Sequence, residues 1–381
     1  IAPAGVPEHG LFIVAGADRH QLKAGLDQMA SHLKQARASG KSVGIAALEW
    51  FRRHPASPAH PRALGFNLAT YHDFETVHED ARQALGSDTA ISLDGLTGCQ
   101  YTPRPLGPTH RPALVYPGSG NHYVGMGRQL SVQWPRIWRN ANQSTARFAD
   151  QCRSAQLVPY RSQWQPGWRR ESLAAINADP VNSIYGQVVY GCLVTDLLRY
   201  LGVDPSAVIG YSLGETVGYF ATGAWPDRGR MLERLETSDL FQTQLAGPCR
   251  AARQALPIPE DAPVDWRVAV INRPAARVLR ALAAFPTVRL LITNSPEESV
   301  IGGYGPAVEA AIRHMDCDAV YLEGVVTVHC EAVNPVADAY RDLHLFPTTP
   351  PSGIAYYSCA EKRRIDLTSE SAADSLLRQA T

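Results

Sequence analysis

The sequence carries no surplus charge of either sign: 36 lysines and arginines stand against 36 aspartates and glutamates in 381 residues. Without a net field there is no footing for a polyanion, so neither a nucleic-acid binder nor a protein of anionic membrane surfaces is expected. Long hydrophobic runs are also missing. No stretch reaches the roughly 18 apolar residues of a membrane span, and the first residues lack the charged and apolar regions of a secretory signal. A cytoplasmic chain with no membrane partner is expected and, since it starts at Ile1, one cut from something longer. The seven cysteines are an odd number, widely spaced and without a C-x-x-C pair, which speaks against a disulfide framework or a thiolate metal site. They read as small buried hydrophobes with reduced thiols, and no metal is expected. Internal repeats and low-complexity tracts are lacking as well. What remains is an ordinary globular composition, long enough for two or three cores.

The patterning divides the chain. GLFIVAG (residues 10–16) reads as a strand, and Asp18 followed by Gln21 caps a helix with Leu22, Leu26, Met29 and Leu33 on one face. A proline-rich interruption precedes a second strand, LGFNLATY, and a second helix around HEDARQAL. This α+β unit is expected over 1–110, where Pro103, Pro105, Pro108 and Pro112 mark a linker. PALVYPGSGNHYVGMG then gives strand, glycine-rich turn and helix; a tryptophan-rich stretch follows, read as packing rather than a ligand site. IYGQVVYGCLVTDLLRYLG reads as a long buried helix leading into the strand AVIG, a sequence of elements typical of α/β architecture. Over 265–325 the order strand, helix, two strands, helix, strand is the ferredoxin-like βαββαβ unit, inserted into a core formed by 111–264 and 326–381. VVTVHCEAVNPVADAYRDL and GIAYYSC then supply a loop, a helix and a strand that rejoin the main sheet. The fold class expected is therefore α/β, with a hydrolase-like parallel sheet, an inserted ferredoxin-like subdomain and an N-terminal α+β linker domain.

Between AVIG and the helix that follows lies Gly210-Tyr211-Ser212-Leu213-Gly214, a G-x-S-x-G turn that presents a serine between a strand and a helix. A serine hydroxyl is a poor nucleophile until a base takes its proton, and the turn itself supplies none. The helix N-terminus at Leu213 does aim backbone N–H groups at an oxyanion forming beside Ser212.

Three further stretches, YPGSGNHYVGMG, NSPEESVIGG and VVTVHCEAV, flank GYSLGE in order and spacing. With them the chain resembles the acyltransferase domains of polyketide and fatty acid synthases, relatives of malonyl-CoA:acyl-carrier-protein transacylase. With Tyr211 where most members have histidine, it is most similar to those of polyunsaturated fatty acid synthases and like megasynthases. The resemblance implies that Ser212 is the nucleophile and His329 its base. It implies an oxyanion hole of the Ser119 and Leu213 N–H groups in Pro117-Gly118-Ser119-Gly120 and the serine turn, with Gly118 and Gly120 shaping the substrate loop. It also places Gln379, in SLLRQ, where a backbone carbonyl orients the histidine. No cofactor is expected to stay bound: acyl-CoA and the phosphopantetheine arm of an acyl carrier protein are the implied substrates. That carrier, and a neighbouring ketosynthase or other megasynthase domains, are the implied partners, with residues 1–110 similar to a ketosynthase-to-acyltransferase linker.

One departure bears on substrate. Malonyl-specific members carry an arginine about two dozen residues after the nucleophile, where its planar fork grips the carboxylate. A gap-free count reaches Thr237 instead; Arg230, Arg234 and Arg250 are the nearby alternatives, the first two expected on the solvated side of their helix. Val326-Thr327-Val328, where the family tunes its acyl pocket, is also uncharged. An acyl group without a terminal carboxylate is therefore expected. Of the residues around the site, Glu215 reads as a helix-dipole partner, Asn294 and Gly302-Gly303 as turn formers, and Glu331 and Cys330 as bystanders of His329. The competing readings are a thioesterase that hydrolyses the same acyl-serine, a malonyl-specific transacylase and a non-catalytic docking domain. An α/β-hydrolase or patatin-like esterase fits less well, because the only Asp-Gly pair, Asp94-Gly95, precedes Ser212.

Overall fold

A computed structural model describes residues 9–55, 60–92, 98–105 and 110–381, and contacts divide the chain into two units, Ile1–Arg111 and Pro112–Thr381. Pro108 of the expected linker and the Asp94-Gly95 pair lie outside the described residues.

In the first unit β1 (Gly10–Gly16) leads to the Arg19–Ala38 helix, which Asp18 caps by accepting the Gln21 N–H at 2.9 Å. A helix at Val43–Arg53 follows, then β2 (Arg62–Leu68), a helix at Tyr71–Ser87, β3 (Ile91–Ser92) and β4 (Gly98–Tyr101). The strands form an antiparallel sheet in the order β1-β2-β4-β3, and Phe12, Leu64 and Phe66 bury against Leu22, Leu26 and Met29 of the first helix. Thr70 and Asp73 close a reciprocal capping box at the third helix. The Val43–Arg53 helix, β3 and β4 are additions to the expected elements. The helix is capped by Ser42 and buries Val43, Ala46, Ala47 and Trp50, just ahead of the proline-rich interruption in a stretch for which no element was expected; β4 is four residues long, too short to show a period.

In the second unit β5 (Ala113–Tyr116) and β6 (Ala207–Gly210) run parallel, joined across a helical segment that ends in the Pro180–Tyr200 helix. Pro180 sits at the first helical position, where no N–H is needed, and Asp179 accepts from Val181 N at 3.0 Å. This helix is buried on several faces, among them Tyr185, Val188, Val189 and Leu193, because the Gly214–Thr222 helix lies against it. They pack closely at Gly191, where a Cβ would stand 2.4 Å from Val217 Cγ1. The tryptophans between β5 and this helix do pack: Trp138 meets Phe148 edge-on at 5.3 Å, and Trp164 meets Trp168 at 4.4 Å.

The insertion comprises β7 (Trp266–Ile271), the Ala275–Leu282 helix, β8 (Val288–Ser295), β9 (Glu298–Tyr304), the Gly305–Met315 helix and β10 (Ala319–Leu322). Its sheet is antiparallel in the order β10-β7-β9-β8, the ferredoxin-like arrangement, with Val278, Leu282, Val308 and Ala311 packed on Ala269 and Ile301. Gly302 and Gly303 lie inside β9 and not in a turn; a Cβ on Gly303 would meet Thr287 O at 2.1 Å, so the chain needs glycine there for close approach. The chain returns as β11 (Ala355–Ser358), parallel to β6, then β12 (Arg363–Ile365) and the Ser369–Ala380 helix, giving the mixed order β12-β11-β6-β5. β6 is thus an interior strand, and the serine turn leaves its carboxyl end, where open α/β sheets place their ligands. Among the described residues no helix is long and apolar enough to cross a membrane.

Candidate active site

Ser212 stands between the last residue of β6 and the first of the Gly214–Thr222 helix with φ at 53°, left-handed backbone that costs a non-glycine residue about 1–3 kcal/mol. The turn is held in that shape from below: Tyr211 N donates to Tyr116 O at 2.9 Å, and Glu215 N donates to Ser212 O at 3.1 Å. Both flanking glycines are sterically required, because a Cβ would stand 1.9 Å from Glu215 N at Gly210 and 2.1 Å from Tyr116 O at Gly214. Gly214→Ala is expected to push the turn off β5, lowering stability by about 1–3 kcal/mol and with it the reactivity of Ser212, read by thermal unfolding and fluorophosphonate labelling.

His329 comes from the loop between β10 and a short 3₁₀ turn at Glu331–Val336, and it too is left-handed, with φ at 69°. The Ser369–Ala380 helix fixes it. The carbonyls of the last helical turn have no intrahelical donors, and here Ala380 O accepts from His329 N at 2.7 Å and from Cys330 N at 3.1 Å. Gln379 O lies 2.7 Å from His329 Nδ1, and His329 Nε2 lies 2.8 Å from Ser212 Oγ. A carbonyl only accepts, so Nδ1 carries the proton and Nε2 is the acceptor facing the Ser212 hydroxyl. Burial holds the imidazole below its ordinary pKa, which keeps it neutral and available as a base.

Leu213 heads the nine-residue Gly214–Thr222 helix with no side-chain cap, and among the described residues neither its N–H nor that of Ser119 donates a backbone hydrogen bond. Both residues line the cavity in front of Ser212. The loop carrying Ser119 approaches the turn closely at Gly118, where a Cβ would lie 2.7 Å from the Tyr211 ring and 3.1 Å from Ser212 Cβ; Gly120 turns that loop with φ at 92°. His329 Nε2 therefore faces the Ser212 hydroxyl from one side, and Ser119 and Leu213 line the cavity in front of it.

Ser212 opens onto two cavities. One, of about 700 Å³ including its mouth and the open solvent there, enters the core between the Gly214–Thr222 helix, the Pro180–Tyr200 helix and the elements after His329, lined by Val188, Phe220, Met231, Leu235, Val328 and Leu376 among others. The second, of about 450 Å³, lies toward the ferredoxin-like sheet, with Val268, Leu291 and Val300 on its wall. Val326 and Val328 line both, while Thr327 turns into the core and its N–H donates to Leu245 O.

Thr237 is misplaced by the gap-free count. It is exposed, its hydroxyl donates to Glu233 O one turn back, and the helix at Arg228–Thr237 presents Met231 and Leu235 to the cavity instead. Among the described residues no lysine or arginine lines that cavity. Arg230 and Arg250 are exposed, as expected for Arg230. Arg234 is half-buried and not on a solvated face: it lies over Phe346 and donates to the carbonyls of Asp342, Leu343 and Leu345, capping the Ala337–His344 helix. Glu331 is engaged by Arg289, away from His329, and burial pushes the Cys330 thiol up to about 11. Asn294 sits in β8, not in a turn, and its Oδ1 accepts from the Tyr211 hydroxyl at 2.9 Å, tying the subdomain to the residue beside Ser212.

Sequence reasoning had no signal for Tyr340 and His344, one turn apart on the cavity wall, where burial lowers the His344 pKa to about 4 and leaves it uncharged. Glu215 is 2% exposed and points inward, not toward solvent at the helix end.

No family model matches the chain. Non-reducing polyketide synthase men2 of Menisporopsis theobromae is 24% identical over 305 residues, covering 75% of this chain and 12% of that protein. The 5-methyl-1-naphthoate synthase of Streptomyces sahachiroi is 25% identical over 320 residues, 79% of this chain and 16% of the synthase. The chain thus spans less than a fifth of the length of these curated relatives. Among solved structures, the acyltransferase domain from module 8 of the salinomycin polyketide synthase superposes with a TM-score of 0.63 at 14% identity, covering 99% of this chain and 81% of that one. The chain has the fold of the polyketide synthase acyltransferase domains.

Proposed function

We propose that this chain is a serine-dependent acyltransferase that moves an acyl group from a thioester, through an ester on Ser212, to the phosphopantetheine thiol of an acyl carrier protein. The observation that carries the proposal is the line from Gln379 O through His329 to Ser212 Oγ, with bonds of 2.7 and 2.8 Å and the donor and acceptor of the imidazole fixed by the carbonyl. Ser212 Oγ attacks the thioester carbon while His329 Nε2 takes its proton. The Ser119 and Leu213 N–H groups hold the oxyanion. The C–S bond breaks as His329 returns the proton to the departing thiol, leaving acyl-Ser212. The carrier thiol then loses its proton to His329, attacks the ester, and Ser212 leaves with that proton. The core cavity takes the acyl chain, and the space beside the ferredoxin-like sheet suits the pantetheine arm. No cofactor takes part in these steps, and the partners are the carrier and adjacent domains of a polyketide or polyunsaturated fatty acid megasynthase.

The test is to load Ser212 from an acyl-CoA pool and follow the fate of the adduct by mass with holo carrier protein, with apo carrier protein and with neither. Transfer predicts acyl-carrier formation and loss of the adduct only with the holo form. Release of free acid at one rate in all three makes the enzyme a thioesterase, and absence of any adduct returns it to a docking role.

A further inference from the structure

Glu215 follows the nucleophile by three residues, in the first turn of the Gly214–Thr222 helix, where a carboxylate placed to favour the helix dipole would sit in solvent. It sits in the interior instead. Its Oε1 accepts from Cys359 N at 2.7 Å and from Gln379 Nε2 at 3.0 Å, and its Oε2 accepts from the Tyr219 hydroxyl at 3.3 Å. Burying a carboxylate is expensive unless donors replace its water, and three donors from three elements converge on this one. One of them belongs to Gln379, whose carbonyl holds His329 Nδ1. Gln379 lies in the last turn of the Ser369–Ala380 helix, so its side chain and its carbonyl link Glu215 and His329 through one residue. The ring of contacts closes on itself: Ser212 O accepts from Glu215 N, Glu215 holds Gln379, Gln379 holds His329, and His329 meets Ser212.

Resting on the reading of Ser212 and His329 as nucleophile and base, we infer that Glu215 is a positioning residue, which pins the C-terminal helix through the Gln379 side chain and so fixes the carbonyl that orients His329. The group does not touch substrate. Its effect falls on the activation of Ser212. The titratable groups that face it are Tyr219 on its own helix, Cys359 after β11 and Tyr340 on the Ala337–His344 helix. Burial raises the Glu215 pKa to about 7, against the pull of its hydrogen bonds to Cys359, Tyr219 and Gln379. Protonation as pH falls through that value removes an acceptor from donors that need it. The His329 pKa is itself lowered, so its own loss of basicity lies at more acid pH.

The experiment measures phosphonylation of Ser212 by a fluorophosphonate in the whole chain, against pH, together with the thermal midpoint of each variant. Glu215→Ala and Gln379→Ala should each slow labelling about 10- to 100-fold, and the double variant should be no slower than the slower single one. Glu215→Gln, whose amide oxygen can still accept from Cys359 and Gln379, should restore most of the rate but lose the fall near pH 7. Wild-type labelling rates in Glu215→Ala and Gln379→Ala, multiplying effects in the double variant, or a retained fall near pH 7 in Glu215→Gln would each overturn the inference. If Glu215→Ala does not fold, Gln379→Ala and Glu215→Gln carry the same comparison. If wild-type Ser212 itself does not label, the activated-nucleophile reading fails, a result distinct from equal labelling of wild type and variants.

Discussion

Replacing His329 by alanine is expected to slow acylation of Ser212 by about 10²- to 10⁴-fold, and replacing Ser212 by alanine is expected to abolish the adduct. The size of the first effect follows from the geometry. His329 Nε2 is the acceptor 2.8 Å from the hydroxyl, and the carboxylates of Glu331 and Glu215 are occupied, the first by Arg289 and the second by three donors behind the turn. A bulk-water base must then take the proton, while the two oxyanion N–H groups stay in place and preserve part of the rate. The pH dependence has a definite sign. A histidine whose pKa is lowered is neutral, and so basic, at neutral pH; beyond the fall near pH 7 that follows Glu215, the rate should fall again as pH drops through the lowered His329 value, and that second limb should vanish in the His329→Ala protein. Intact mass over time reads wild type and both variants. An adduct that persists in Ser212→Ala would place the nucleophile elsewhere.

Much of this site was legible because its signals are local. A strand, two glycines around a serine and an apolar helix are contiguous in VIGYSLGETVGYF, and the structure places Ser212 at the strand end that order implies. The βαββαβ subdomain was readable for the same reason, from the order of short apolar runs such as WRVAVIN and helical stretches such as PAVEAAIRHM. Gln379 was reached only through resemblance, since nothing in SLLRQ shows that its carbonyl meets a histidine fifty residues away. What failed was direction. A count along the chain placed Thr237 at the pocket, but successive helical residues turn about 100°, so Thr237 lies roughly 200° round from Leu235, which faces the cavity. Glu215 was read as a dipole partner from its position at a helix start, whereas its partners come from Cys359 and Gln379, both distant in sequence. The Tyr211 to Asn294 bond joins two subdomains and has no trace in either segment alone.

Thr237 was the wrong position, yet the expectation built on it gains a better footing from the cavity itself, and it makes the second large prediction. Acetyl-CoA or a longer neutral acyl-CoA is expected to load Ser212 faster than malonyl-CoA by about two to three and a half orders of magnitude, because a carboxylate stripped of water without a partner costs about 3–5 kcal/mol. The core cavity offers that carboxylate no cation: Met231 and Leu235 face it from the helix, Val326 and Val328 from the loop before His329, and Phe220 and Leu376 close its walls. His344, among the described residues the one basic side chain on its wall besides His329, has its pKa lowered to about 4 by burial and stays uncharged at neutral pH. Arg234 is close in sequence to Leu235 but spends its guanidinium on three carbonyls at the end of the Ala337–His344 helix, and withdrawing it would uncap that helix. The apolar walls that penalise a carboxylate favour a methylene chain, by about 0.8 kcal/mol for each CH₂ buried, so loading should rise with chain length until the cavity is full. Competing malonyl-CoA, acetyl-CoA and longer acyl-CoAs in one reaction, with the adduct on Ser212 weighed by mass, reads both slopes at once. Faster loading of malonyl would mean that a cation enters the cavity on binding, with Arg234 the nearest to move.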